Sequence, residues 1–170
     1  MKRKYDIIIG IDPDVDQSGV ARLDIEQKTL WAQTLPFPLL IDYIRDIHAQ
    51  NKGRHIGVVV EASWLNSHNW HLSRFDNLAI AARKGYDEGR NHEAGRKVVE
   101  MLQHYGIEVG EIAPLRKTWH GKDRKITHAE ITSITGWEKK RSNQEERDAA
   151  LIAWNESGLP IIVKRVCQQK

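Results

Sequence analysis

The sequence of 170 residues contains a single cysteine, Cys167, and no long uninterrupted hydrophobic run. One cysteine excludes an intramolecular disulfide framework and a cysteine-based zinc site, and it suits a reducing cytoplasm. No apolar stretch approaches the ~20 residues that a membrane-spanning helix needs, so we expect no membrane partner. The apolar run after the basic N-terminus is too short for a signal peptide, and no small-residue cleavage site follows it.

A strong excess of charge is also missing, because 26 Lys and Arg residues oppose 23 Asp and Glu residues for a net charge of +3. An excess this small is weak evidence for an anionic partner, so the positions of the charges must decide. With 40% hydrophobic and 29% charged residues, the composition is that of a folded globular protein. No repeat, linker or low-complexity tract divides the sequence, and we expect one domain over residues 1–170.

Hydrophobic periodicity predicts an α/β fold with a five-stranded mixed sheet flanked by helices. The predicted strands span 5–11, 19–25, 28–34, 55–61 and 107–113. The predicted helices run from Pro36 to about Gln50, from about Glu93 to Tyr105, over 126–134, and from Asn143 to about Glu156. The first three strands have short links and should form an antiparallel meander, whereas the helix before the fourth favours a parallel crossover.

Acidic residues end the two most strongly hydrophobic strands of this prediction. Asp12 follows IIIGI and Glu61 follows VVV. The carboxyl ends of neighbouring parallel strands meet at one edge of a sheet, where open α/β sheets bind ligands, so we expect these two carboxylates to lie together. Asp14 and Asp16 add further negative charge to the first turn.

Two more acids occur in the last predicted helix. Glu145 and Asp148 are three residues apart and share a helix face, and the adjacent Ala149 and Ile152 would hold that face near the sheet. Asp148 lies in mid-helix, where Asp is a poor helix former. Glu145 has a second interpretation, since Ser142-x-x-Glu145 is the pattern of a capping box.

Four converging carboxylates repel one another unless cations lie between them. Oxygen ligands of this kind suit Mg²⁺, with Mn²⁺ as a substitute. Two such ions can activate water and stabilise the leaving oxygen during phosphodiester cleavage. We therefore expect a site for two metal ions built from Asp12, Glu61, Glu145 and Asp148.

Four short motifs follow one another along the chain: GIDP at 10–13, Gly19-Val20-Ala21, VVVEA at 58–62 and DAALIA at 148–153. As an ordered set, spread from residue 7 to about 155, they resemble the RuvC family of Holliday junction resolvases. Two positions depart from the family pattern. Asp14 stands where the family commonly has glycine, and Glu145 stands where it has aspartate.

The resemblance implies a single RuvC-like nuclease domain with the ribonuclease H-like fold, acting as a homodimer on four-way DNA junctions. It places the family's four metal-binding acids on Asp12, Glu61, Glu145 and Asp148. Lys117 and Lys125 are the nearest matches to the catalytic lysines that precede the family's last helix. No small-molecule cofactor is implied.

Aromatic and basic residues are interleaved in the middle of the chain, as stacking on unpaired bases and binding of phosphates require. The expected DNA-binding residues are Trp64, Trp70, Arg74, Arg116, Lys117, Lys122, Arg124 and Lys125. The tryptophans have an alternative interpretation as core or interface residues. His68 and His71 could ligate a metal, but without a third soft ligand they are better interpreted as surface or DNA-facing residues.

The sequence thus predicts a metal-dependent, structure-selective endonuclease for branched DNA. Two alternatives stay open: a ribonuclease H-like nuclease for RNA–DNA hybrids or flaps, and a non-cleaving nucleic-acid-binding module of the same fold. For the homodimer, the expected interface is the helix containing Asn91 to Tyr105 with the segment leading into it, because Val99 lies outside that helix's main apolar stripe.

Overall fold

The computed structural model describes residues 4–66, 73 and 75–162. Its strands are β1 (Ile7–Asp12), β2 (Ser18–Asp24), β3 (Thr29–Leu35), β4 (Ile56–Glu61) and β5 (Val109–Ile112). Its α-helices are α1 (Phe37–Gln50), α2 (Leu78–His104), α3 (His128–Thr135) and α4 (Gln144–Glu156). Two short 3₁₀ turns lie at Ser63–Leu65 and Lys122–Arg124. No helix in the described part of the chain is both long and apolar enough to cross a bilayer.

The five strands form a mixed sheet in the order β3-β2-β1-β4-β5. β1, β2 and β3 pair antiparallel, while β4 lies parallel to both β1 and β5. The predicted fold class is confirmed: a five-stranded mixed sheet, made of a three-stranded antiparallel meander plus two parallel strands and flanked by helices. Ile11 pairs with Val60, so β1 and β4 end side by side.

Each face of the sheet carries its own hydrophobic core. Ile7, Ile9 and Ile11 of β1 pack with α1 and α2, whereas Ile8 points to the opposite core, which includes α3 and α4. Because both faces of β1 are covered, its sequence is an unbroken apolar run rather than an alternating one. Gly10 lets α4 approach closely, since a Cβ there would lie 2.5 Å from the carbonyl oxygen of Ala149.

Helix α2 differs from its prediction, because it begins at Leu78 rather than near Glu93. Its buried residues all lie in the C-terminal half, from Gly95 onward, so hydrophobic periodicity marks only that half. The Asn77 side chain caps the start by accepting a 2.9 Å hydrogen bond from Ile80 N. Val99 is buried in the core, so the prediction that its side chain is available for a dimer interface is wrong.

Candidate active site

Three of the predicted acids line one cavity at the carboxyl edge of the parallel strands. Asp12 ends β1, Glu61 ends β4, and Asp148 projects from α4, which packs across β1 and β2. The walls of the cavity are completed by Leu115, Arg116, Lys117, Trp119, Lys125, Ile126 and Leu151. The fold therefore brings acids from three distant segments to one place, with basic residues around them.

Glu145 lies one turn before Asp148 on α4, outside the cavity lining, and its capping interpretation is wrong. The capping box of α4 consists of Asn143 and Glu146: Glu146 N donates to Asn143 Oδ1 at 2.8 Å, and Asn143 N donates to Glu146 Oε2 at 3.3 Å. Ser142 therefore does not start the helix. The Glu145 side chain is not required for capping, and its charge acts on Asp12.

Negatively charged side chains are clustered around Asp12 in the cavity. Burial raises the pKa of Asp12 well above its usual value, the charges of Glu61, Asp148 and Glu145 raise it further, and Lys125 opposes them. Burial also raises the pKa of the Glu61 carboxyl, although the Leu115 N–H donates to Glu61 Oε2 at 3.3 Å. The excess of negative charge around Asp12 is what a bound cation would relieve.

The Asp148 carboxyl is bonded by Gln144 and lies close to Lys125. Burial raises the pKa of its carboxyl, while a 2.7 Å hydrogen bond from Gln144 Nε2 to Oδ1 and the charges of Lys125 and Lys117 oppose that increase. Lys125 Nζ lies 3.8 Å from Asp148 Oδ2. Of the predicted basic residues, Arg116, Lys117 and Lys125 line the cavity, whereas Lys122 and Arg124 are exposed on the adjoining turn.

The donor set fits a hard divalent cation in its chemistry, because it consists of carboxylate oxygens whose mutual repulsion the neighbouring lysines only partly offset. Within residues 4–66, 73 and 75–162, no three His, Cys, Asp or Glu side chains are grouped closely enough to hold an ion together as they stand. The side chains of Asp12, Glu61 and Asp148 would have to converge on an ion that they share.

No protein-family model and no curated relative matches the chain by sequence. Its structure is similar to Thermus thermophilus RuvC in complex with a Holliday junction substrate, with 13% identity and a TM-score of 0.48 over 91% of this chain and 98% of that one. Another T. thermophilus RuvC structure has 18% identity and a TM-score of 0.41, over 90% and 97% of the two chains. The large terminase nuclease from thermophilic phage G20c has 13% identity and a TM-score of 0.35, over 89% and 82%.

Trp64 lies three residues after Glu61 and outside the cavity lining, and its side chain is engaged in packing. Its ring rests against Gly95 of α2, where a Cβ would overlap it, and its Nε1 donates to Glu111 Oε2 at 2.9 Å. The Arg96 guanidinium lies over the ring at 5.9 Å from its centroid. Stacking of Trp64 on a DNA base stays a prediction.

Four residues singled out in the sequence lie outside the described residues. They are His68, Trp70, His71 and Arg74. The predicted roles of Trp70 and Arg74 in DNA binding therefore stay predictions.

Asp14 and Asp16 belong to the turn and not to the cavity. Asp14 Oδ1 accepts a 2.9 Å hydrogen bond from Asp16 N, and Asp14 N donates to Ser18 Oγ at 3.1 Å. These bonds fix the Asp14 side chain to its own turn, and the φ angle of Asp14 is not in the left-handed region that would favour glycine. Of the three acids at this turn, only Asp12 faces the cavity.

Several supporting residues were not recognised from the sequence. Glu61 is oriented by the Leu115 N–H and Asp148 by Gln144, whose i,i+4 spacing to Asp148 was a usable signal. Trp119 lines the cavity, and its buried Nε1 has no hydrogen-bond partner within the described chain. Glu130, which follows Thr127 in the spacing of a capping box, also went unnoticed.

Proposed function

We propose that this protein is a metal-dependent, structure-selective endodeoxyribonuclease that resolves four-way DNA junctions by hydrolysing phosphodiester bonds. The observation that carries the proposal is the cavity in which Asp12, Glu61 and Asp148 lie beside Lys117 and Lys125. Carboxylates at the carboxyl edge of a sheet suit divalent ions, and the lysines suit a phosphate.

Asp12, Glu61 and Asp148, with Glu145 at the next helical position, would hold two Mg²⁺ ions, for which Mn²⁺ could substitute. Bound there, the ions would supply an activated water and charge stabilisation for the leaving oxygen. The protein's own contribution is orientation. The Leu115 N–H fixes the Glu61 carboxylate and the Gln144 amide fixes that of Asp148.

Lys117 and Lys125 would contact the phosphate that is cleaved. Both line the cavity, and Lys125 lies 3.8 Å from Asp148 Oδ2 at its rim. Arg116 is positioned for a flanking phosphate, and the exposed Lys122 and Arg124 would extend the basic surface along the DNA backbone.

The choice of a four-way junction comes from the resemblance of the sequence motifs to the RuvC family. Such a junction has approximate two-fold symmetry, and two opposed cuts need two active sites, so we propose a homodimer. The N-terminal part of α2 offers a surface for it, since Leu78, Ile80 and Tyr86 are exposed. Light scattering at micromolar concentration without DNA should give twice the mass of the 19.6 kDa chain.

The decisive experiment is cleavage of a four-way junction, an RNA–DNA hybrid and a flap in Mg²⁺, with D12N as the control. We expect paired cuts on opposing strands of the junction, abolished by D12N and by EDTA, while D12N still binds the junction. Cleavage of the hybrid or flap alone would favour the simpler nuclease. Binding without any cleavage would favour the non-cleaving module, and cleavage in excess EDTA would refute metal dependence.

A further inference from the structure

Glu130 is a buried carboxylate, 8% exposed, that lies outside the cavity lining. Its Oε2 accepts hydrogen bonds from Thr127 N at 2.9 Å and Thr127 Oγ1 at 2.7 Å. Its Oε1 accepts one from His120 N at 3.1 Å and lies 2.7 Å from His120 Nδ1. An ionised carboxylate only accepts, so His120 Nδ1 must carry the hydrogen in this pair.

Helix capping explains only half of these contacts. The bonds with Thr127 complete the capping box of α3, a feature that many helices share. The bonds with His120 join residues that are 10 apart in the sequence, and His120 lies at the start of the turn that carries Lys122, Arg124 and Lys125. Glu130 therefore joins the two ends of the segment between His120 and Thr127.

The segment so enclosed is a tight turn that carries Lys125. Gly121 N donates to Lys125 O at 3.0 Å, and Lys125 N donates to Lys122 O at 3.0 Å. A Cβ on Gly121 would overlap the carbonyl oxygen of Lys125. The backbone of Lys125 is thus fixed on both sides by the first half of the turn.

The turn holds an unfavourable backbone conformation. Asp123 and Arg124 have φ angles of 55° and 59°, in the left-handed region that disfavours residues other than glycine. A residue other than glycine keeps this conformation only where its surroundings impose it. The hydrogen bonds that His120 donates to Glu130, together with a 3.1 Å bond from Trp119 N to Arg124 O, close the turn around these two residues.

The far end of the segment is tied to the helix that carries Asp148. Arg147 Nε on α4 donates to Ile126 O at 2.9 Å, directly after Lys125. The ammonium of Lys125 then reaches Asp148 Oδ2 at 3.8 Å. A turn anchored at His120 by Glu130 and at Ile126 by Arg147 leaves Lys125 little freedom of position.

We propose that Glu130 is a positioning residue for Lys125: by clasping His120 it closes the 119–125 turn and holds the Lys125 ammonium at the carboxylates of the cavity. The closing of the turn by Glu130 does not depend on any activity, whereas its effect on cleavage rests on the proposed function. A residue that merely caps α3 would stabilise the protein without acting through Lys125. The experiments below separate these two roles.

The first experiment is hydrogen exchange on the DNA-free, metal-free protein. E130Q keeps the shape of the side chain but leaves one accepting oxygen in place of two, so it can no longer accept from both His120 and Thr127. We expect the amides of residues 119–125 to exchange about tenfold faster or more, with those of β1 and β4 unchanged. Because the remaining oxygen of E130Q can turn towards His120, E130A is measured beside it, and unchanged exchange in the turn of both variants overturns the clasp.

The second experiment is a double-mutant cycle in junction cleavage with E130Q, K125A and the double variant. We expect E130Q to lower kcat by about 10- to 100-fold with little change in KM, because the lysine is misplaced rather than removed. In the K125A background, E130Q should cause no further loss. An equal further loss would show that Glu130 does not act through Lys125, and an unchanged kcat would also overturn the proposal.

Two more variants keep the test sharp. D24N neutralises another buried carboxylate, which forms a 2.8 Å ion pair with Arg54. Asp24 pairs with Ile7, at the opposite end of β1 from Asp12, so D24N should leave kcat unchanged in the folded protein. G121A removes no hydrogen bond of the α3 cap, although its Cβ would lie 3.2 Å from Thr127 Cγ2, and it pushes most strongly on Lys125 O, so it should reproduce the E130Q kinetics. If E130Q does not fold, G121A decides, and a wild-type kcat for G121A overturns the proposal.

Failure of this inference is distinguishable from failure of the proposed function. If the wild-type protein cuts neither junction, hybrid nor flap, the nuclease proposal fails, and exchange in the turn alone decides whether the clasp exists. If the wild-type protein cuts the junction and E130Q cuts it equally fast, only the role assigned to Glu130 fails.

Discussion

Gly19 of β2 lies directly beneath the backbone carbonyl of Glu145, so closely that a Cβ atom at position 19 would overlap that oxygen. Gly19 pairs with Asp12 across the β1–β2 ladder. One glycine therefore sets the distance between the first acid of the site and the helix that carries Glu145 and Asp148. A side chain of any size at this position must move the start of α4.

G19A should impair both stability and cleavage. The added methyl group meets backbone, which cannot rotate away, so we expect a loss of about 1 to 3 kcal/mol in the free energy of unfolding. The shift of α4 should lower cleavage of the folded protein by about 100-fold. Urea denaturation and junction cleavage measure the two effects.

G85A is the matched control, because nothing lies within 4 Å of a Cβ at that position of α2. It should raise stability by about 0.5 to 1 kcal/mol, as Ala replaces Gly within a helix. If G19A cleaves as fast as G85A, then contact with Gly19 does not position α4.

The neighbouring glutamates of α4 should separate catalysis from capping. E145A removes a side chain that α4 does not use as a cap, so the free energy of unfolding should change by less than about 0.5 kcal/mol while cleavage is lost. E146A removes the partner of Asn143 and of Lys139, whose Nζ lies 2.7 Å from Glu146 Oε1. It should lower stability by about 1 to 3 kcal/mol and leave cleavage by the folded protein largely intact. The reverse pattern would make Glu145 structural.

Trp64 should prove to be a packing residue first. W64A opens a cavity against Gly95 and removes the hydrogen bond to Glu111, so we expect a loss of about 2 to 4 kcal/mol in stability. W64F, which keeps an aromatic ring, should lose less. If Trp64 also stacks on an opened base, folded W64A will bind a junction more weakly by about 1 to 3 kcal/mol, with little loss on plain duplex. Equal loss on both DNAs would leave packing as its only role.

Stability in acid should depend on Glu130. Burial opposes ionisation, but hydrogen bonds from Thr127 and His120 prevail and lower the pKa of Glu130 from 4.5 to about 2. Since the pKa in the folded state lies below that of the unfolded chain, this stabilisation is full above about pH 4.5 and is lost as the pH falls towards 2, by about 3 kcal/mol at most. Urea denaturation at a series of pH values should show this loss in the wild type and a weaker one in E130Q.

E138Q serves as the control, because it removes an exposed carboxylate from the segment between α3 and α4. It should retain the wild-type loss of stability below pH 4.5. An E130Q curve parallel to that of the wild type would mean that folding does not lower the pKa of Glu130.

Much of the fold could be predicted because a strand that is buried on both faces has an uninterrupted apolar sequence. IIIGID and IGVVVE are apolar runs that end in acids, and the structure places them side by side as β1 and β4. The first half of α2 escaped prediction for the opposite reason. Residues 78–93 bury no stripe, and their helix is set by the Asn77 cap and continuity with the packed half.

The sequence by itself determined which carboxylates end buried strands, since hydrophobic runs and their terminal acids are local features. Only the tertiary structure decided what Glu145, Glu146 and Glu130 do, because three glutamates in similar helix-start patterns differ only in their partners. Glu146 caps α4, and Glu130 accepts hydrogen bonds from His120, while the charge of Glu145 raises the pKa of Asp12. Those partners are brought within range by the packing of α4 on Gly19 and by the closing of the 119–125 turn, and neither contact leaves a periodic trace in the sequence.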